Sequence, residues 1–93
     1  MMFAIAFDLA VVETAKHFPR GISKAYAQIG AALADYGFTW VQGSVYLTDR
    51  DDLANLFAAI LAVKALPWFP ASARHLRAFK VEHWSDFTPL MKS

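Results

Sequence analysis

Large apolar residues alternate with small or polar ones from the third position, Phe3, Ile5, Phe7 and Leu9 standing between Ala4, Ala6, Asp8 and Ala10. A period of two predicts a β-strand, and with alanine on most of its second face both faces are expected to be buried, as in a central strand. Residues 11–21 are expected to form a connection ending in the turn Pro19-Arg20-Gly21. From Ile22 the period lengthens. Ile22, Tyr26, Ile29, Leu33 and Tyr36 recur at helical spacing, and Gly37 stands where a helix C-cap would.

Phe38-Thr39-Trp40-Val41 and Ser44-Val45-Tyr46-Leu47 flank Gln42-Gly43, which predicts a hairpin, with Gly43 as an alternative bulge. Thr48, Asp49, Asp51 and Asp52 supply a helix start with carboxylates where the dipole favours them. Leu53, Leu56, Phe57, Ile60 and Leu61 form a second helical stripe. Pro67 is expected to end it, and Pro70 marks a loop through Trp68-Phe69. Residues 73–82 read as a last strand, followed by a short tail. The expected architecture is α+β, a single ferredoxin-like domain over residues 1–93 in the order β-α-β-β-α-β. Right-handed crossovers place both helices on one face of a four-stranded antiparallel sheet of order 4-1-3-2, leaving the other face open.

Composition adds a partner to this picture. Of the 93 residues, 57% are apolar, more than a domain of this size readily buries, so the open face is expected to meet a second copy in a homodimer. There are no cysteines, which argues against a disulfide scaffold or a thiolate zinc site. The run Met1 to Asp8 has no basic leader, and a carboxylate cuts its apolar stretch. The expectation is therefore no signal peptide, no membrane span and a cytoplasmic location.

The net charge is only +1, but its distribution is informative. In the expected sheet Asp8 ends strand one, beside the beginnings of strand three (Gln42, Gly43, Ser44) and strand four (Arg74, His75, Arg77). Lys16, Arg20, Lys24, Arg74 and Arg77 map to that end, and Asp49, Asp51 and Asp52 to the other. A basic rim around one carboxylate is a candidate phosphate site, its ordinary alternative being a solvated loop end. Asp8 is either chemical or a cap for the following connection. Ser44 and Tyr46, two apart, share one face of strand three and are either site residues or ordinary β residues, with Tyr46 filling a dimer seam. His17 and His75 have no partner at metal-ligand spacing. Phe79, Trp84 and Phe87 could stack on bases, although packing is the commoner use.

The segments Ala4-Ile5-Ala6-Phe7-Asp8-Leu9, Ala25-Tyr26, Gly37 through Tyr46 and Leu76-Arg77-Ala78-Phe79-Lys80-Val81-Glu82 resemble the virulence-associated protein D (VapD) family. The likeness covers nearly the whole chain, and Gly37–Tyr46 is its most specific part. More distantly the chain resembles the small CRISPR-associated nuclease-like adaptation subunits. The resemblance implies a ferredoxin-like homodimer with endoribonuclease activity, in some members the toxin of a toxin–antitoxin pair with a cognate antitoxin. The family's strand-one aspartate falls on Asp8 and its hairpin serine on Ser44. Where relatives often carry an acidic residue before the Ile/Leu-Arg of strand four, this chain has His75, which weakens a two-carboxylate metal mechanism.

Two chemical routes follow for RNA cleavage. Asp8 holds Mg²⁺ together with its symmetry mate, or His75 acts as acid–base while Ser44 hydrogen-bonds a phosphate oxygen and Arg74 or Arg77 neutralises it. Lys16, Arg20 and Tyr46 complete the expected RNA-binding set. The alternatives are a non-catalytic dimer that binds nucleic acid or protein, and a small-molecule-binding dimer.

Overall fold

The structure is a computed structural model that describes residues 2–93. Its elements are β1 (Met2–Leu9), α1 (Val11–His17), α2 (Ile22–Ala34), β2 (Thr39–Gln42), β3 (Val45–Thr48), α3 (Leu53–Lys64), α4 (Phe69–Ser72), β4 (Ala73–Val81) and α5 (Thr88–Met91). The sheet runs β2-β3-β1-β4 with every pairing antiparallel. This is the expected order, with β1 central.

Phe3, Ile5, Phe7 and Leu9 turn one face of β1 into the core, where Ala25, Ile29 and Leu33 of α2 and Leu56, Ala59 and Val63 of α3 meet them. The small residues of α2 and α3 let the helices lie close to the sheet. Asp52 caps α3, its Oδ1 accepting from the Ala54 amide at 2.9 Å. The expected α3 stripe is only half correct. Leu53, Phe57 and Leu61 are exposed, and the buried line runs through Leu56, Ala59 and Val63 instead. No helix among the described residues is long and apolar enough to cross a membrane.

Three segments read as irregular are helical. Residues 11–17 form α1, closed at its start by Thr14, whose hydroxyl and amide both donate to the Ala10 carbonyl, at 2.7 and 2.8 Å. Residues 69–72 form the single turn α4, with Pro70 in its first turn. Trp68 and Phe69 are not an exposed loop: both rings are buried, Trp68 5.1 Å from Phe18 and Phe69 5.8 Å from Phe7. The tail carries α5. The hairpin is present, but its turn is Gly43-Ser44, and the β2–β3 register shifts between Trp40 and Gln42, so the bulge falls at Val41 rather than Gly43.

Candidate functional site

Register decides what surrounds Asp8. It lies opposite His75, and Ala6 lies opposite Arg77. Opposed residues of an antiparallel pair project to the same face with Cβ atoms about 4.5–5.5 Å apart. Asp8, His75 and Arg77 therefore rise together on the face away from the helices, at the end where β1 stops. The β1–β4 register then shifts, with Leu9 opposite Ala73. Arg74 is the extra residue of a bulge, and the distortion turns its guanidinium toward Asp8, Nη1 lying 3.6 Å from Oδ2. Both partners are open to solvent, with side-chain exposures of 46% for Asp8 and 67% for Arg74. Arg77 has no ion-pair partner among the described residues.

Ser44 reaches the same end of the sheet but not the same face. The Phe7 amide donates to the Ser44 carbonyl at 3.2 Å, which sets Ser44 opposite Phe7 and sends its hydroxyl to the helix side. There Ser44 Oγ lies 2.9 Å from the Tyr26 hydroxyl of α2. The expectation of Ser44 as a lateral neighbour of Asp8 holds for the backbone, while the sheet separates the two side chains. Tyr46 is on the helix side too. It is buried in the core of its own chain, stacked 6.0 Å from Phe7, and so does not fill a seam between chains. Burial, and next the neighbouring Tyr26, push its phenol above the ordinary value.

The basic rim divides in two. Lys16 stands in the last turn of α1, on the connection after β1 rather than on the sheet. Arg20 lies beyond it, its guanidinium 5.8 Å from the Phe18 ring centroid. Glu13 and His17 pair on α1 at 3.5 Å, away from Asp8. At the opposite end of the sheet, where Thr48 faces Phe3, the carboxylates of Asp49, Asp51 and Asp52 gather and Lys80 approaches Asp51 at 3.9 Å. Along the strands, Arg74 and Arg77 of β4 stand at the Asp8 end, while Asp49, Asp51 and Asp52 follow β3 at the other.

Among the described residues no three His, Cys, Asp or Glu side chains group as metal ligands. Asp8, already facing an arginine and an imidazole, is a poor donor set for Mg²⁺, which requires several oxygens in octahedral geometry. The residues of one chain do not fit the ion, and no step below passes through it.

Two further surfaces lie elsewhere on the sheet. On the open face, Ala4, Leu47, Phe79, Trp84, Phe87 and Met91 line a groove of about 680 Å³ between the sheet and the tail. Ala4 is already covered there by its own chain. On the helix side, Ser23, Tyr26 and Ala27 of α2 face Trp40 and Gly43 across a shallower groove. Tyr26 stands in the sequence as a member of a helical stripe and of the family-like pair Ala25-Tyr26, and nothing local marks its contact with Ser44.

The family described as CRISPR associated protein Cas2 matches residues 1–88. The endoribonuclease VapD homolog of Neisseria gonorrhoeae is 59% identical over 99% of this chain and all of its own length. Endoribonuclease VapD of Dichelobacter nodosus is 48% identical over 98% of each chain. Its namesake from Haemophilus influenzae is 48% identical over 99% of this chain and 100% of its own.

Proposed function

We propose that this chain, which belongs to the Cas2 family and to the VapD group of proteins, is an endoribonuclease whose reaction centre is the Asp8–His75 pair with its flanking arginines. The observation that carries the assignment of the centre is the register that opposes a strand-end carboxylate to an imidazole on one exposed face, between Arg74 and Arg77. The full-length likeness to proteins named endoribonuclease supports the choice of RNA.

The chemistry needs one proton carrier and positive charge near the phosphate. Neutral His75 accepts the proton of a ribose 2′-hydroxyl as its oxygen bonds to phosphorus. The bond from phosphorus to the 5′-oxygen breaks, and the imidazolium returns the proton to that leaving oxygen. The products are a 2′,3′-cyclic phosphate and a 5′-hydroxyl. Asp8, across the β1–β4 pair from His75, offsets the charge of the imidazolium, while Arg74 and Arg77 neutralise the phosphate oxygens. Ser44, on the helix side of the sheet, serves RNA binding beyond the scissile phosphate rather than contacting Asp8.

The open face supports a homodimer. Phe79, Trp84, Phe87, Leu90 and Met91 are exposed on or beside it, and a second copy would cover them while leaving the strand-end charges at the margin. Light scattering at micromolar concentration should give twice the chain mass, and a monomeric mass refutes the dimer without touching the reaction. A toxin role predicts growth arrest on induction that Asp8→Asn abolishes, and unimpaired growth refutes it.

The decisive experiment incubates purified protein with end-labelled RNA with and without EDTA. Cleavage should persist in EDTA, yield cyclic-phosphate ends and stop at a 2′-deoxy position. Activity lost in EDTA replaces the imidazole route by a metal-dependent one. RNA binding without cleavage refutes the enzyme and leaves a nucleic-acid-binding module.

A further inference from the structure

We infer that the groove between α2 and the β2–β3 hairpin is a nucleobase subsite, in which one unstacked base of the RNA lies against Trp40. The inference rests on the ribonuclease reading for the identity of the strand, and on its own geometry for the base.

Trp40 lies opposite Tyr46 on the helix side of the sheet. Because β2 is the edge strand, no sheet neighbour covers its outer flank. The indole is 64% exposed, yet it is held, its Nε1 donating to the Gly43 carbonyl at 2.9 Å. That bond satisfies the ring's one polar atom and leaves its π-face available. An exposed aromatic fixed at its polar edge is a stacking surface that loses little freedom when a base lands on it.

The opposite wall and floor suit a base better than an aliphatic chain. Ala27 leaves room, and the hydroxyls of Ser23 and Tyr26 line the same groove. Tyr26 and Ser44 share a hydrogen bond in which either atom could be the donor. The pair can therefore present a donor or an acceptor to a base edge by rotating two hydroxyl hydrogens. The space, about 560 Å³, is within the range of small-ligand sites.

Continuity with the reaction centre is through the backbone. Ser44 bonds the Tyr26 hydroxyl on one side, and its carbonyl accepts from Phe7, the residue before Asp8. From Arg74 and Arg77 on β4 the strand crosses three strand spacings, about 14 Å, and rounds the hairpin turn to the groove at the opposite edge, so the base in the groove lies several nucleotides from the scissile phosphate. A protein segment is the competing occupant, but the groove presents a flat, fixed ring with the hydroxyls of Ser23 and Tyr26 beside it, which suits a planar base with hydrogen-bonding edges.

The test measures binding of fluorescein-labelled oligoribonucleotides, intact or with abasic sites, to the full-length Asp8→Asn protein and to its Trp40→Ala and Ala27→Leu derivatives. Cleavage by the parent is measured in parallel. Ala27→Leu fills the groove without touching the indole–Gly43 bond, which guards against a hairpin effect of Trp40→Ala. Both derivatives should bind the intact strand roughly tenfold or more weakly, in line with the usual worth of one stacked base. They should bind the abasic strand as the Asp8→Asn protein does, with an unchanged salt slope because stacking releases no counterions. Equal affinities for the intact strand, or equal losses on both strands, overturn the subsite. Cleavage by the parent with base-independent binding overturns the subsite alone. Base-dependent binding through Trp40 without any cleavage supports the subsite and overturns the ribonuclease reading, and a protein that binds no RNA overturns both.

Discussion

Replacing Asp8 by Asn keeps the size of the side chain and removes its charge, and the structure sets how much each role of Asp8 can lose. Its one ion pair, with Arg74 at 3.6 Å, joins side chains that are 46% and 67% exposed. Pairs in such surroundings are worth about 1 kcal/mol at most. In a domain of this size that displaces the thermal midpoint by no more than about 4–8 °C. The chemical role is expected to be far larger, because losing the carboxylate that charge-balances a proton carrier should lower cleavage by about a hundredfold or more. The assay is the initial rate of RNA cleavage per folded molecule, with the thermal midpoint recorded on the same preparation. Arg74→Ala breaks the same ion pair while leaving the carboxylate, so it should match Asp8→Asn in stability and lose activity mainly through weaker RNA binding. A well-folded Asp8→Asn protein with full activity refutes the assignment. So does an Arg74→Ala protein that reproduces the whole Asp8→Asn defect at saturating RNA, since the carboxylate would then act only through its ion pair.

Three other outcomes follow from the geometry. Arg77→Ala should reduce the logarithmic salt slope of RNA binding by roughly 0.7, the loss of one phosphate contact on a single strand, and an unchanged slope removes Arg77 from the site. Gly30→Ala should stabilise the protein by about 0.5–1 kcal/mol in urea titration, because Gly30 lies inside α2 and an added Cβ meets Tyr46 only at ordinary contact, 3.7 Å from its hydroxyl; a lower midpoint refutes this. The Tyr46 phenol, raised above 10.0 chiefly by burial and next by Tyr26, favours its neutral form in the fold, so its contribution is complete below pH 10 and declines as pH rises beyond that value. Tyr46→Phe should therefore flatten the alkaline fall of the urea midpoint, and an equally steep fall in the variant refutes the attribution.

Much of this protein is legible along the chain because its signals are local. The alternation Phe3, Ile5, Phe7, Leu9 determines a central strand. The helical recurrence through Ile29 and Leu33 determines α2, and two β-rich runs about Gly43 determine the hairpin. With the handedness of crossovers these place Asp8, Arg74, His75 and Arg77 at one end of the sheet. The helix α1 was hidden because Val11 and Val12 stay exposed, leaving no apolar stripe to signal it. Pro67 and Pro70 likewise suggested a loop where Pro70 in fact starts a helical turn.

What only the tertiary structure decided is which groups share a face. Side chains alternate along a strand, so a one-residue change in register moves a residue to the other side of the sheet. Register is set by pairing partners distant in the chain and by bulges that no local pattern announces. The bulge at Arg74 brings its guanidinium to Asp8, and the pairing of Ser44 with Phe7 sends the Ser44 hydroxyl to Tyr26. Composition and spacing name the candidate residues of this chain, but the parity of two strand pairings separates them into a charged cluster on one face and an aromatic, hydroxyl-lined groove on the other.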